Sequence, residues 1–193
     1  MDIFLLGMVL TMPVAMIAMV LFYSARLKIA GIKIVPFAKK LIPLLKENLT
    51  INSTIEAIPF NTRYCVTQFG MDRKQLNRSL PILSRVNLDG NCFIIMLIAI
   101  LFMVTMGETI GWYDVIIIGT VVFFLSLGAP NQPGSILIGL LVIISYLHTS
   151  KVIAIAIFAE ALFGGLLAVT NAAGNIVTVA IADKRDKKAK TNP

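Results

Sequence analysis

The sequence predicts an all-α membrane protein, built from transmembrane helices, two re-entrant helical hairpins and two broken helices in an inverted repeat. Three observations predict it. The 193 residues are 58% hydrophobic and only 14% charged, with mean hydropathy +0.87, whereas a soluble domain carries about 25% charge. Long apolar runs alternate with short ones, too short to cross a hydrocarbon core of about 30 Å. Polar, glycine-containing stretches interrupt apolar helices at Arg85–Asn91 and Asn171–Asn175. A bilayer tolerates such breaks only where they are buried in protein or line a watery cavity, so they mark a candidate ion or substrate site.

The composition excludes several classes. The formal charge of +7 lies in basic residues that flank apolar segments. No aromatic and basic interleaving of the kind single-strand nucleic-acid binders use is present. Two cysteines, Cys65 and Cys92, and one histidine, His148, give neither a disulfide framework nor a metal cluster. No nucleophile elbow or catalytic triad can be assembled, so the chain is not expected to be an enzyme. Met1-Asp2 lacks the basic region of a signal peptide.

Taken in order, residues 1–28 hold the first transmembrane helix. Its apolar run Ile3–Tyr23 is long enough to span, with Pro13 as an expected kink. Arg26 and Lys28 follow, which places that end in the cytoplasm by the positive-inside rule. Residues 29–106 form the first hairpin and broken helix. Pro36–Glu47 shows helical apolar spacing through Phe37, Leu41, Leu44 and Leu45. Asn48–Ala57 is a polar tip, and Pro59 restarts a helix to about Gly70. Asp72, Arg73, Lys74 and Arg78 read as a charged cytoplasmic loop, and Leu80–Val86 as a short helix that breaks and resumes from Cys92 to Met106.

Residues 107–183 repeat that order from the opposite face. Gly107–Asp114 is acidic and aromatic and reads as an outer interfacial loop. Val115–Leu127 and Ile136–Leu147 are each roughly 20 Å long as helix. Gly128–Ser135 between them forms the second hairpin's tip. Val152–Thr170 spans, Asn171–Asn175 interrupts it, and Ile176–Ala182 finishes it. Residues 184–193 are a solvated basic cytoplasmic tail. This is the architecture of secondary transporters, with the site where broken helices meet at the midplane. The expected location is the cell membrane, multi-pass, in contact with lipid, with the C-terminus cytoplasmic.

Four stretches carry a family resemblance. Asn87-Leu88-Asp89-Gly90 resembles the NMDGT motif of the dicarboxylate/amino acid:cation symporters, the family of the glutamate transporter homologues. Pro59-Phe60-Asn61-Thr62-Arg63 resembles its LPxTxR. Gly128 to Gly134 resembles its second hairpin tip, and Asn171-Ala172-Ala173-Gly174-Asn175 its NxxGD. The resemblance covers the whole chain but only the C-terminal, transport-domain part of the family. It implies a homotrimer and an N-terminal scaffold half; either the chain is a fragment or the product of a split gene, or that partner half is encoded elsewhere.

The resemblance also implies a site. Substrate contacts fall on Ser53, Thr54, Asn91, Ala129, Pro130, Gly134, Gly164, Leu167 and Asn171. Cation ligands fall on Asn87, Asp89, Asn171 and Asn175, for Na+ or H+ as coupling ion, with no other cofactor. Gly164 and Leu167 stand where the family carries an Asp and an Arg, and Asn175 stands where it carries a closing Asp. Both charged substrate contacts are thereby lost, and acidic amino acids are not the expected substrate.

Three charged residues modulate the site. Arg85 lies one turn before Asp89, either as a tethered cation in place of a transported one or as a residue snorkelling to the interface. Asp89 is correspondingly a cation ligand or an i,i+4 partner of Arg85. Glu160 is a proton carrier or a helix–helix contact. Glu56 is either a charge that repels anions or an exposed tip carboxylate. The expected function is cation-coupled symport of a small organic acid or amino acid by alternating access. The alternatives are a non-transporting subunit or degenerate fragment of such a symporter, or a passive channel.

Overall fold

The computed structural model describes residues 2–87, 89–105, 107, 109–128 and 152–191. Among them the chain is all-helical. Helix α1 (Asp2–Ile29) runs through Pro13. Helix α2 (Ile34–Ile51) runs through Pro43 and buries Phe37, Leu44 and Asn48, the spacing expected of one helical face. It ends at Asn52, whose left-handed backbone (φ 52) turns the chain back.

Helix α3 (Ile58–Tyr64) begins with proline in its first turn and passes into a π-helical turn, Cys65–Phe69, which Gly70 closes in the left-handed region. The pair α2 and α3 is antiparallel. Asn48 and Asn61 exchange amide hydrogen bonds of 2.8 and 3.0 Å. Further down, the Tyr64 hydroxyl donates to the Lys40 carbonyl, and Lys40 Nζ to the Gln68 carbonyl.

Helix α4 (Arg73–Val86) starts where a charged loop was expected. The Asp72 carboxylate accepts from the Gln75 backbone N–H at 2.9 Å and caps it. Arg73, Lys74 and Arg78 are therefore helical. The helix stops at Asn87, whose backbone (φ −91, ψ 77) is non-helical, and α5 (Asp89–Thr105) resumes two residues on, earlier than Cys92. Helix α6 (Trp112–Gly128) follows. The proposed second hairpin tip, including Ala129, Pro130 and Gly134, lies outside the described residues.

Helix α7 (Val152–Thr191) corrects two expectations. It is one continuous helix of 40 residues, unbroken at Asn171–Asn175. Thr170 and Thr178 each donate to the carbonyl four residues back at 2.7 Å, which keeps their hydroxyls inside the helix's own ladder. The basic end is also helical rather than a free tail, since alanine and lysine favour helix. Lys184 Nζ donates to the Gly31 carbonyl at 2.5 Å and Lys187 Nζ to the Gly70 carbonyl at 2.8 Å. Both carbonyls belong to positive-φ turns at helix ends. Asp183 accepts from the Asp72 backbone N–H at 3.0 Å and pairs with Lys187 at 2.6 Å.

Helix α7 is the axis of the fold. Toward its N-terminal side Leu167 joins Met12 of α1, Ile94, Ile98 and Phe102 of α5, and Ile118 and Val122 of α6. Toward its C-terminal side Ala173, Ile176, Val177 and Ala180 pack with Tyr23 and Leu27, Leu44, Cys65, and Leu76 and Leu80 of α4. Among the described residues three stretches are long and apolar enough to cross a membrane: 10–29, 73–104 taken across the break, and 163–190. Helices in lipid gain little from apolar burial against one another and associate by packing and hydrogen bonds. The polar groups between the two apolar clusters therefore matter to the fold as well as to chemistry.

Candidate functional site

The seam between those clusters is built from the break before α5 and the middle of α7. Every residue from Thr170 to Val177 is buried. Asn171, fully buried, accepts from the Gly90 backbone N–H at 2.7 Å and donates to the Asn91 amide oxygen at 2.8 Å. Asn175 accepts from the Asn87 amide at 2.9 Å. The Tyr23 hydroxyl stands 3.1 Å from Asp89 Oδ2 and 3.2 Å from the Thr170 carbonyl, donating into both.

Two glycines make this approach possible. A Cβ on Gly90 would lie 2.8 Å from the Leu167 carbonyl and 3.0 Å from Asn171 Oδ1. A Cβ on Gly174 would lie 2.7 Å from Asp89 Oδ2, 2.9 Å from the Tyr23 hydroxyl and 3.0 Å from Asn87 Nδ2. Real side chains do not sit that close, so glycine at both positions lets the helices touch backbone to side chain. The four residues read as cation ligands thus converge on one seam, together with Asn91.

The seam is an amide latch in this arrangement. Asn171 has both ends of its amide bonded, and the Asn175 oxygen is taken by Asn87. Asp89 keeps its carboxylate with a hydroxyl donor. Arg85 is exposed and forms no ion pair with Asp89, so the i,i+4 pairing is replaced by Tyr23. In the sequence Tyr23 ends an apolar run, where it has the look of an interfacial residue.

The remaining predicted residues fall in two other places. Ser53 and Thr54 are buried at the α2–α3 tip beside the end of α4, where the Thr54 hydroxyl reaches the Ser84 carbonyl at 3.5 Å. No hydrogen bond joins this tip to the seam among the described residues. Glu56 is exposed on the tip. Gly164 and Leu167 are buried, Leu167 inside the apolar cluster beside Gly90. Ala129, Pro130 and Gly134 lie outside the described residues, as does the side chain of Glu160. Among the described residues no cluster of three His, Cys, Asp or Glu side chains could hold a metal.

Described residues that are all-helical, with several stretches able to cross a membrane and a polar seam at a helix break, are arranged as in a membrane transporter. The model of the sodium:dicarboxylate symporter family matches residues 3–185, and the chain belongs to that family. It is accordingly a membrane protein of a transporter family, not of an enzyme family. No individual curated protein matches it.

Proposed function

We propose that the chain is the transport-domain part of a secondary active transporter, carrying a small organic acid or amino acid together with Na+ or H+ by alternating access. The single observation that carries this reading is the convergence of Asn87, Asp89 and Asn91 on Asn171 and Asn175, with glycines at both points of closest approach. A carboxylate and amide oxygens are the hard oxygen donors that Na+ prefers. The coupling cation would exchange the Asn87–Asn175 and Gly90–Asn171 bonds for oxygen ligation, with Asp89 supplying the charge. Ser53, Thr54, Asn91, Gly164, Leu167 and Asn171 would meet the substrate, along with Ala129, Pro130 and Gly134. Glu160 would be the carrier if the ion is a proton.

The same reading makes the α2–α3 pair re-entrant, Gly128–Ser135 the tip of a second hairpin, and the two halves an inverted repeat. It puts the basic ends in the cytoplasm and packs the chain against a scaffold half, in a trimer. A second reading has a specific observation in its favour: the filled amide bonds of the latch suit a non-transporting subunit that keeps the fold and has lost the site.

Ligand-linked thermal stability of the purified protein separates the two. Sodium in place of choline, with a panel of small dicarboxylic, monocarboxylic and amino acids, should raise the unfolding midpoint. Saturation a hundredfold over the dissociation constant is worth about 2.7 kcal/mol. Asp89→Asn should abolish the sodium part. A midpoint indifferent to every cation, pH step and solute supports the non-transporting reading.

A further inference from the structure

A groove of about 420 Å3 lies between the ends of α1 and α7, away from the seam. Each wall carries one arginine beside apolar residues: Arg26 with Ile29 and Ala30 on α1, and Arg185 with Ile181 and Ala182 on α7. The membrane-capable stretch 10–29 ends at the groove, and 163–190 ends within about two turns beyond it. Ile29 is 86% exposed and Phe22 52%, which leaves a lipid-facing apolar path running up to the groove.

The two guanidinium groups are held without a carboxylate partner. Arg26 donates to the Thr178 hydroxyl at 2.9 Å and lies 5.6 Å from the Phe22 ring centre, contacts that fix its direction and use one of its five N–H groups. Arg185 is exposed. Among the described residues neither forms an ion pair. The groove's one acidic residue, Asp186, is engaged by the Gln75 side chain of α4 at 3.2 Å.

We infer that this groove binds the headgroup phosphate of an anionic phospholipid, with Arg26 and Arg185 on the phosphate and one acyl chain along Ile29 and Phe22. Planar, weakly hydrated guanidinium groups are suited to bidentate phosphate contacts. Basic groups at the membrane surface each favour anionic lipid by about fivefold. The phosphate is assigned to a lipid rather than to solution because the two arginines sit beside exposed apolar side chains, Ile29 and Phe22, that an acyl chain would cover.

Native mass spectrometry of the intact protein tests this, released from micelles doped with phosphatidylglycerol and phosphatidylcholine in equal amounts. The wild type should retain phosphatidylglycerol in preference, and R26Q/R185Q should lose that preference by about tenfold or more. K39Q/K46Q, which removes the same charge from the exposed face of α2, should keep it. Should the double variant unfold, R185Q alone serves, since Arg185 is exposed and supports no packing. An unchanged preference in the arginine variants would overturn the proposal. So would displacement of the lipid by equimolar glycerol 3-phosphate, which would show a site for soluble phosphate.

Discussion

A methyl group on Gly174 would sit within 3.0 Å of Asp89, Tyr23 and Asn87 together. Alanine in a helix is ordinarily more favourable than glycine by up to about 1 kcal/mol. Here the neighbours are a carboxylate, a hydroxyl and an amide already bonded across the seam, so overpacking wins. Gly174→Ala and Gly90→Ala should each destabilise the protein by roughly 1–3 kcal/mol. Gly119→Ala is the counter-case, because its Cβ would find Met96 Cε at an ordinary 3.6 Å. That variant should be neutral or more stable. Thermal unfolding in one detergent measures all three, and equal effects would show that the close approach is not what glycine provides.

The α2–α3 pair is held by one buried reciprocal amide contact, Asn48 with Asn61. Removing one partner leaves the other buried without its bonds, at about 1–3 kcal/mol, whereas removing both spares that penalty. Asn48→Leu and Asn61→Leu should each destabilise, and the double variant should cost clearly less than their sum. Additive effects in the unfolding midpoint would rule the contact out as a coupled pair.

The pair itself was legible in the sequence, since Phe37, Leu41, Leu44 and Leu45 spell a helical face and Pro59 marks a restart. The break at Asn87 was legible too. Asn171–Asn175 has the composition of a second break, yet the helix runs through it. Small polar residues with a glycine look alike whether they open a helix or bond sideways from an intact one, and only a partner's position decides. Here Asn87, Gly90 and Asn91 supply that partner, and sequence order alone cannot place them 80 or more residues away.

Across the whole molecule, α7 links two apolar clusters and ends on the turns at Gly31 and Gly70. Asp72 takes part twice, capping α4 with its side chain and donating its backbone N–H to Asp183. The Gln75 backbone N–H, chiefly, holds the Asp72 carboxyl below its usual range, with Lys190 and Lys187 adding to this. A depressed carboxyl contributes stability above the ordinary carboxylate range and loses it as pH falls through the folded value. Asp72→Ala should therefore lower the unfolding midpoint at pH 7, and the gap from wild type should close on acidification below about pH 4. A gap independent of pH would mean that the cap does not act through its charge.

The contrast between the interrupted α4–α5 and the uninterrupted α7 has a mechanical consequence. Forty residues of helix make a stiff rod about 60 Å long, and it carries no hinge where the seam grips it. Relative rotation of the two apolar clusters would turn on Asn87, on the opposite side of the seam, and would bend α1, which also reaches both clusters. The rod's far end is clamped by Lys184 and Lys187 to two separate turns. Tilting it strains both clamps at once, so they would release together, and the far end would respond to the seam as a lever does to its fulcrum.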